Sequence, residues 1–164
     1  EKGHPFAYHV YGTALLEVTV DCLKGIYHFD RVQIVHDSGN LMNRPVDLGQ
    51  IEGGLVQGMG WMTMEEVLYN AEGKLLSNAL SSYKVPDIYA TPGEIVIHHL
   101  NAEGPELAIH KSKAVGEPPL MYGLGAYFAI RNAVRAFNPQ AALYFDAPYT
   151  PEKVLMDLYK NPEP

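Results

Sequence analysis

One carboxylate in an unusual setting is the clearest candidate for chemistry in this sequence. Glu117 follows the run of small residues Ser112–Gly116 and precedes two prolines, and an apolar-periodic helix is predicted directly after them. Proline is favoured in the first turn of a helix because the N–H groups there have no intrahelical partner. A residue before proline is biased toward extended backbone, so we expect Glu117 on an extended segment just ahead of the helix N-terminus.

Two environments for Glu117 are open from the residues alone. A carboxylate that is kept ionised but partly removed from water would be an effective general base near neutral pH. Burial favours the neutral acid, whereas the positive end of the helix dipole favours the carboxylate, so the two effects compete. A solvated glutamate that only complements the helix dipole is the alternative, and it would perform no chemistry.

A glycine-rich helix is the second feature whose residue types point to a ligand. Residues 47–62 are predicted to be helical, with Asp47 as the N-cap and apolar residues at helical spacing. Five glycines interrupt this segment, and each interior glycine costs roughly 1 kcal/mol relative to alanine. Close approach of the helix backbone to another element or to a ligand must therefore offset this cost.

Both a ligand and a packing partner would explain these glycines. One face of the predicted helix carries polar and small residues, namely Gln50, Gly54, Gln57 and Trp61. Two amides and a missing side chain on this face could hydrogen-bond a polar planar ligand. In the alternative interpretation, the glycines permit tight helix–helix packing and the glutamines are satisfied locally.

The remaining hydrophobic pattern predicts an α+β fold with antiparallel strands, two longer helices and a short C-terminal helix. Alternating apolar residues indicate strands over residues 6–22, 26–36, 63–70 and 94–100. Asn70–Gly73 is typical of a hairpin turn. The helix after Glu117 is predicted to stop at Asn138, and Thr150 is the predicted N-cap of the last helix. Because no linker is evident, we predict that residues 1–164 form a single α+β unit.

Composition and charge exclude several classes of protein. The net charge is −7 without a basic stripe, so we expect no nucleic-acid surface, and no apolar run is long enough for a membrane span. Cys22 is the only cysteine, which excludes an internal disulfide and a thiolate-held zinc or iron–sulfur centre. The seven histidines are spaced unlike metal ligands, so we predict no metal site and expect surface or half-buried histidines. The absence of an initiator Met suggests a piece of a longer protein.

Three stretches, in this order and at this spacing, resemble the molybdenum hydroxylases, the family of xanthine dehydrogenase and aldehyde oxidase. They are Asp47–Gly60, Ser81–Pro86 and Ser112–Leu120. The resemblance covers nearly the whole chain, down to Thr150. The proline pair after the glutamate is more similar to xanthine dehydrogenase than to carbon monoxide dehydrogenase. The resemblance implies that this chain is the C-terminal portion of the molybdenum-cofactor-binding (molybdopterin-binding) region.

The resemblance also implies roles for matching residues. Glu117 would be the catalytic base, which deprotonates a hydroxide on molybdenum so that the oxygen attacks an electron-poor ring carbon. Gln50 would hydrogen-bond the pterin of the cofactor. The backbone that runs along the same cofactor would be that of Ser112, Lys113, Ala114, Val115 and Gly116. The segment Asn43–Pro45 departs from the family pattern, and we expect a local loop difference there without a change of mechanism.

The implied activity is that of a bacterial-type xanthine dehydrogenase, which oxidises hypoxanthine and xanthine to urate with water as the oxygen source. Iron–sulfur clusters and FAD would lie on other domains or subunits, and the rest of the molybdenum subunit would supply the purine pocket. We expect a cytoplasmic oligomer whose isolated piece is inactive. An aldehyde oxidoreductase or another N-heterocycle hydroxylase of the family is one alternative. A non-catalytic interaction domain, whose glycine helix packs against a partner protein, is the other.

Overall fold

A three-stranded sheet with helices packed against it forms the framework of the computed structural model. The structure describes residues 3, 5–100, 102–104, 106, 108–143 and 145–160. β1 (Gly12–Asp21) pairs antiparallel with β2 (Ile26–His36), and β3 (Glu94–His99) joins the other edge of β2. The α+β class and the antiparallel β1–β2 pair are confirmed. β3 runs parallel to β2, because the chain crosses over through a helix between these two strands.

The first strand is shorter than its apolar pattern indicated. We predicted a strand from residue 6, whereas β1 begins at Gly12. Gly12 pairs with His36, the last residue of β2, so the preceding residues have no strand beside them. Phe6 accordingly leaves 71% of its surface exposed. Within the paired region the alternation holds, and the inward-facing positions Leu16 and Val18 pack against the core.

The glycine-rich helix begins earlier than predicted. α1 spans Arg44–Thr63, and its N-cap is Asn43, whose side chain accepts a hydrogen bond from the Val46 N–H at 3.4 Å. Asp47 is therefore not the N-cap; its buried carboxylate accepts from the N–H groups of Met42 and Asn43 at 3.1 and 3.2 Å. The proline at position 45 fits the first turn of the helix. We expected a local loop difference at Asn43–Pro45, and the structure shows instead that the helix begins within this segment.

A second helical segment carries the proline pair and continues into a longer helix. A 3₁₀ helix, Pro118–Gly123, leads directly into α2, Leu124–Phe137, which is capped at Asn138 as predicted. α3 spans Pro151–Tyr159 and is capped by Thr150, also as predicted. The buried core joins β2, α1, α2 and α3, and includes Val32, Ile34, Ile51, Leu55, Ile130, Val134, Val154 and Leu158. This core therefore fixes the positions of α1 and of the 3₁₀ helix relative to each other.

The region between α1 and β3 contains less regular structure than predicted. The expected strand over residues 63–70 is wrong, because α1 extends through Thr63 and only a single bridge joins Tyr69 to Leu75. The turn between these two residues is confirmed, with Gly73 at a φ of +77° that favours glycine. The polar residues 101–106 after β3 predict a loop, and two of them, Asn101 and Pro105, lie outside the described residues. No helix in the described part of the chain is long and apolar enough to cross a bilayer.

Candidate active site

An open cleft lies between α1 and the segment that leads into the 3₁₀ helix. Its volume is about 620 Å³. The lining residues are Gly49, Gln50, Gly53, Gly54, Gln57, Gly116, Glu117 and Leu120. The structure thus brings together three of the predicted site residues, Gln50, Gly116 and Glu117, although more than sixty positions separate the first two in sequence.

Two of the α1 glycines allow the walls of this cleft to approach each other. A Cβ at Gly54 would lie 2.8 Å from the Gly116 carbonyl oxygen and 3.0 Å from Pro119 Cβ. A Cβ at Gly58 would overlap the Leu120 carbonyl oxygen and lie 3.1 Å from Gly123 Cα. At both positions the nearest obstacle is a backbone carbonyl oxygen, so movement of a side chain could not relieve the clash. The packing explanation for the glycines is therefore confirmed at these two positions.

Two other glycines of α1 have no packing role. A Cβ at Gly49 or at Gly53 would meet no atom within 4 Å, although each residue lines the cleft. Beside them, the exposed Gln50 amide has no hydrogen bond to any other described residue. Because Gly49 and Gly53 have no side chains, the helix surface here is flat, and the Gln50 amide beside it can form hydrogen bonds. This combination fits the flat, hydrogen-bonding edge of a pterin. The fit of the residues to a pterin cofactor therefore rests on this half of the cleft.

Gln50 also reaches the opposite wall. Its Oε1 atom would lie 3.1 Å from a Cβ at Gly116, so glycine at this position leaves space for the amide. The exposed Gln57 lines the same cleft about two helical turns further along α1. The two amides thus present donors and acceptors along one edge of the cleft.

Glu117 stands on the second wall of the cleft with its side chain exposed. Its backbone is helical, with φ −80° and ψ −44°, so the predicted extended conformation is wrong. The Glu117 carbonyl oxygen accepts from the Leu120 N–H at 3.1 Å, and this first 3₁₀ hydrogen bond offsets the bias imposed by the following proline. The carboxylate faces the same cleft as Gln50, as the general-base interpretation requires, but within this chain it is not removed from water.

The segment before Glu117 is anchored to the C-terminal end of β2. Lys113 donates its backbone N–H to the Ser38 carbonyl oxygen at 2.8 Å, and Ser112 bridges to Gly39. The Lys113 ammonium pairs with the Asp37 carboxylate at 2.5 Å, and the two side chains are only 10% and 2% exposed. The Lys113 side chain and its backbone N–H are therefore both used inside the protein and are not left for a ligand.

The other residues of this segment also have internal partners. Ser112 donates its hydroxyl to the Ile109 carbonyl oxygen at 2.7 Å, and Val115 packs against the core. Of the residues Ser112–Gly116, the cleft reaches only Gly116. Cofactor contacts by Ser112, Lys113, Ala114 and Val115 stay a prediction.

The sequence patterns did not predict the buried polar cluster that lies behind this segment. His36 is fully buried, whereas the scattered spacing of the histidines indicated surface or half-buried positions. Its nitrogen atoms contact the Ala114 carbonyl oxygen at 3.2 Å and the Tyr122 hydroxyl at 2.6 Å. The sequence pattern does indicate this burial. Val32, Ile34 and His36 occupy every second position of β2, so their side chains point to the same buried face of the sheet. In the described residues no group of three His, Cys, Asp or Glu side chains could hold a metal ion.

Known proteins with similar sequences belong to the family that the sequence motifs resemble. The sequence model of the molybdopterin cofactor-binding domain matches residues 1–92. The chain is 42% identical over 159 residues to xanthine dehydrogenase/oxidase of Rattus norvegicus, covering 93% of this chain and 12% of that protein. It is 40% identical over 159 residues to aldehyde oxidase 1 of the same organism, covering 94% and 12%.

A solved structure gives the same result in three dimensions. The crystal structure of quinoline 2-oxidoreductase from Pseudomonas putida 86 overlaps with a TM-score of 0.78 at 27% identity, covering 88% of this chain and 18% of that chain. Fold, cleft and comparisons together define a molybdopterin-binding unit. The chain belongs to the molybdopterin cofactor-binding domains of the xanthine dehydrogenase and aldehyde oxidase family. It spans about 12% of the length of the curated relatives that it matches.

Proposed function

We propose that this chain is the C-terminal part of the molybdenum-cofactor-binding region of a molybdopterin-dependent hydroxylase of the xanthine dehydrogenase type. The enzyme would oxidise hypoxanthine and xanthine to urate and take the oxygen from water. The observation that carries this proposal is the cleft in which Gln50 and Glu117 face the same space from opposite walls. The 42% identity to a xanthine dehydrogenase/oxidase supports the enzyme family, and xanthine is the substrate that we infer from this relative.

Each wall of the cleft has its own task in this proposal. The Gln50 amide donates to and accepts from the polar edge of the pterin, and Gly49 and Gly53 leave room for the ring system. The Glu117 carboxylate takes up one proton during the reaction, as a general base must. When bound, the molybdenum cofactor supplies the two-electron acceptor and the oxygen donor of the hydroxylation. In the whole enzyme, the cofactor and the rest of the subunit would cover Glu117 and remove it from bulk water.

The remaining parts of the enzyme would lie elsewhere. The chain has a single cysteine, Cys22, and an iron–sulfur cluster held by thiolates needs several. Iron–sulfur clusters and FAD on other domains or subunits would therefore carry the electrons away, and the rest of the molybdenum subunit would supply the purine pocket. We propose an oligomeric enzyme of the cytoplasm.

A second candidate has specific support. The chain is 40% identical to an aldehyde oxidase, close to the value for the xanthine enzyme, and the residues that choose the substrate are expected outside this chain. Steady-state assays of the full-length enzyme separate the two candidates. We expect a higher kcat/KM for xanthine than for aliphatic and aromatic aldehydes or quinoline. A higher kcat/KM for an aldehyde would replace the first candidate with the second.

Removal of the Gln50 amide should weaken cofactor binding. A hydrogen bond contributes about 1 kcal/mol, so Gln50→Ala in the full-length enzyme is expected to weaken retention of the cofactor about fivefold. The measurement is molybdenum per protein after purification and dialysis, by inductively coupled plasma mass spectrometry. Glu52→Ala is the matched control, because Glu52 is exposed on the same helix and does not line the cleft. Wild-type molybdenum content and unchanged spectra of the metal centre in Gln50→Ala would count against a pterin at this wall.

A further inference from the structure

The segment that carries Glu117 is tied at both ends to one buried side chain. His36 is fully buried at the C-terminal end of β2 and does not line the cleft. Its Nε2 atom lies 3.2 Å from the Ala114 carbonyl oxygen, and its Nδ1 atom lies 2.6 Å from the Tyr122 hydroxyl. Ala114 precedes Glu117 by three positions and Tyr122 follows it by five. The imidazole therefore contacts the segment that carries Glu117 on both sides of that residue.

The chemistry of the two partners fixes the protonation of the imidazole. A carbonyl oxygen can only accept, so Nε2 must carry the proton and donate to Ala114. Nδ1 of the neutral ring is then an acceptor, and the Tyr122 hydroxyl donates to it. Burial lowers the pKa of His36, and burial together with the charge of Asp37 raises the pKa of Tyr122. Both shifts favour the neutral forms that this pair of hydrogen bonds needs.

The surroundings hold this pair in one arrangement. The two rings meet edge to face with centroids 5.8 Å apart. A Cβ at Gly12 would overlap the Tyr122 hydroxyl, so glycine in β1 makes room for it. Beside the pair, the buried ion pair of Asp37 with Lys113 holds the residue before Ala114. An apolar residue at position 36 could fill the same volume, but it could not hold the Ala114 carbonyl oxygen.

We propose that His36 and Tyr122 are positioning residues, which fix the Glu117 carboxylate relative to the cofactor cleft without contacting substrate or cofactor. This inference rests on the proposed role of Glu117 as the base. The 3₁₀ helix with Tyr122 is already held by its backbone packing on Gly58, so the Ala114 tether is the more important of the two. Loss of this tether should leave the cleft intact and let the carboxylate move away from its productive position.

Two substitutions of His36 separate positioning from simple stability. The amide nitrogen of Gln can occupy the place of Nε2, so His36→Gln keeps a donor for Ala114. The shorter Asn reaches only the place of Nδ1, so His36→Asn keeps a partner for Tyr122 but loses the tether. In the full-length enzyme we expect His36→Asn to lower kcat about thirtyfold with KM within about twofold, because small misplacement of a catalytic group is costly. His36→Gln should recover most of kcat.

A readout independent of turnover is hydrogen–deuterium exchange of the peptide that covers residues 112–120, followed by mass spectrometry. We expect faster exchange in His36→Asn and nearly wild-type exchange in His36→Gln, with equal molybdenum content in both. If His36→Asn does not fold, Tyr122→Phe takes its place, with an expected drop in kcat of about threefold at unchanged KM.

Each contrary result has a distinct meaning. Wild-type kcat in His36→Asn or in Tyr122→Phe would overturn the positioning role. Equal losses of kcat in the Asn and Gln variants, in proportion to lost thermal stability, would overturn it as well, since stability alone would then explain them. Wild-type turnover in Glu117→Gln would instead remove the proposed function on which the inference rests.

Discussion

Glu117→Gln, made in the full-length enzyme, is expected to lower turnover by about three orders of magnitude while molybdenum content stays at the wild-type level. Glutamine has the shape of glutamate and keeps hydrogen-bonding capacity, but it cannot take up a proton. The side chain is exposed in this chain, so the substitution should not disturb packing. Steady-state oxidation of xanthine together with metal analysis measures both quantities in the same preparation.

The matched control for this variant is Glu52→Gln. Glu52 is also an exposed glutamate on α1, but it is not among the residues that line the cleft. We expect wild-type turnover from it. Turnover of Glu117→Gln within about tenfold of the wild type would remove Glu117 from its role as the base. It would also favour the alternative in which this domain only binds a partner.

Gly58→Ala is expected to destabilise the protein by about 2 kcal/mol. The new methyl group would overlap the Leu120 carbonyl oxygen, and the walls of the cleft would have to separate. The intrinsic preference of a helix for alanine, about 1 kcal/mol, recovers only part of this loss. Differential scanning calorimetry of the full-length protein should therefore show a lower transition temperature for the unit that contains this chain.

The same helix offers a control with the opposite sign. A Cβ added at Gly53 would have no atom within 4 Å, so Gly53→Ala should raise stability by about 0.5–1 kcal/mol. Because Gly53 lines the cleft, the same variant should bind the cofactor less well. Equal transition temperatures for Gly58→Ala and Gly53→Ala would show that tight packing does not account for glycine at position 58.

Elements whose signals lie within a few residues could be predicted from the sequence. The Thr150 cap and the proline after it place the start of α3 correctly, and the alternation of β2 predicts both of its ends. The start of α1 was missed because two capping residues compete there. Asn43 caps the helix, and Asp47 hydrogen-bonds back to the preceding backbone, so either residue alone resembles an N-cap.

The site could be predicted only in part, because its geometry depends on contacts between distant segments. The motifs identified Gln50 and Glu117, and the structure places both at one cleft. The separate roles of Gly54, Gly58 and Gly53 depend on what faces each of them, which periodicity cannot show. Likewise, the buried partner of Lys113 lies 76 positions away, and no local pattern connects it to Asp37.

A crystal structure of the cofactor-loaded, full-length enzyme tests the central claim most directly, namely that the α1 cleft holds the pterin and that Glu117 faces the reacting centre. We predict that the pterin edge lies within hydrogen-bond distance of the Gln50 amide and that the Glu117 carboxylate points to the molybdenum from the opposite wall. A cofactor bound away from this cleft, with side chains from the rest of the polypeptide filling the space between Gln50 and Glu117, would contradict it.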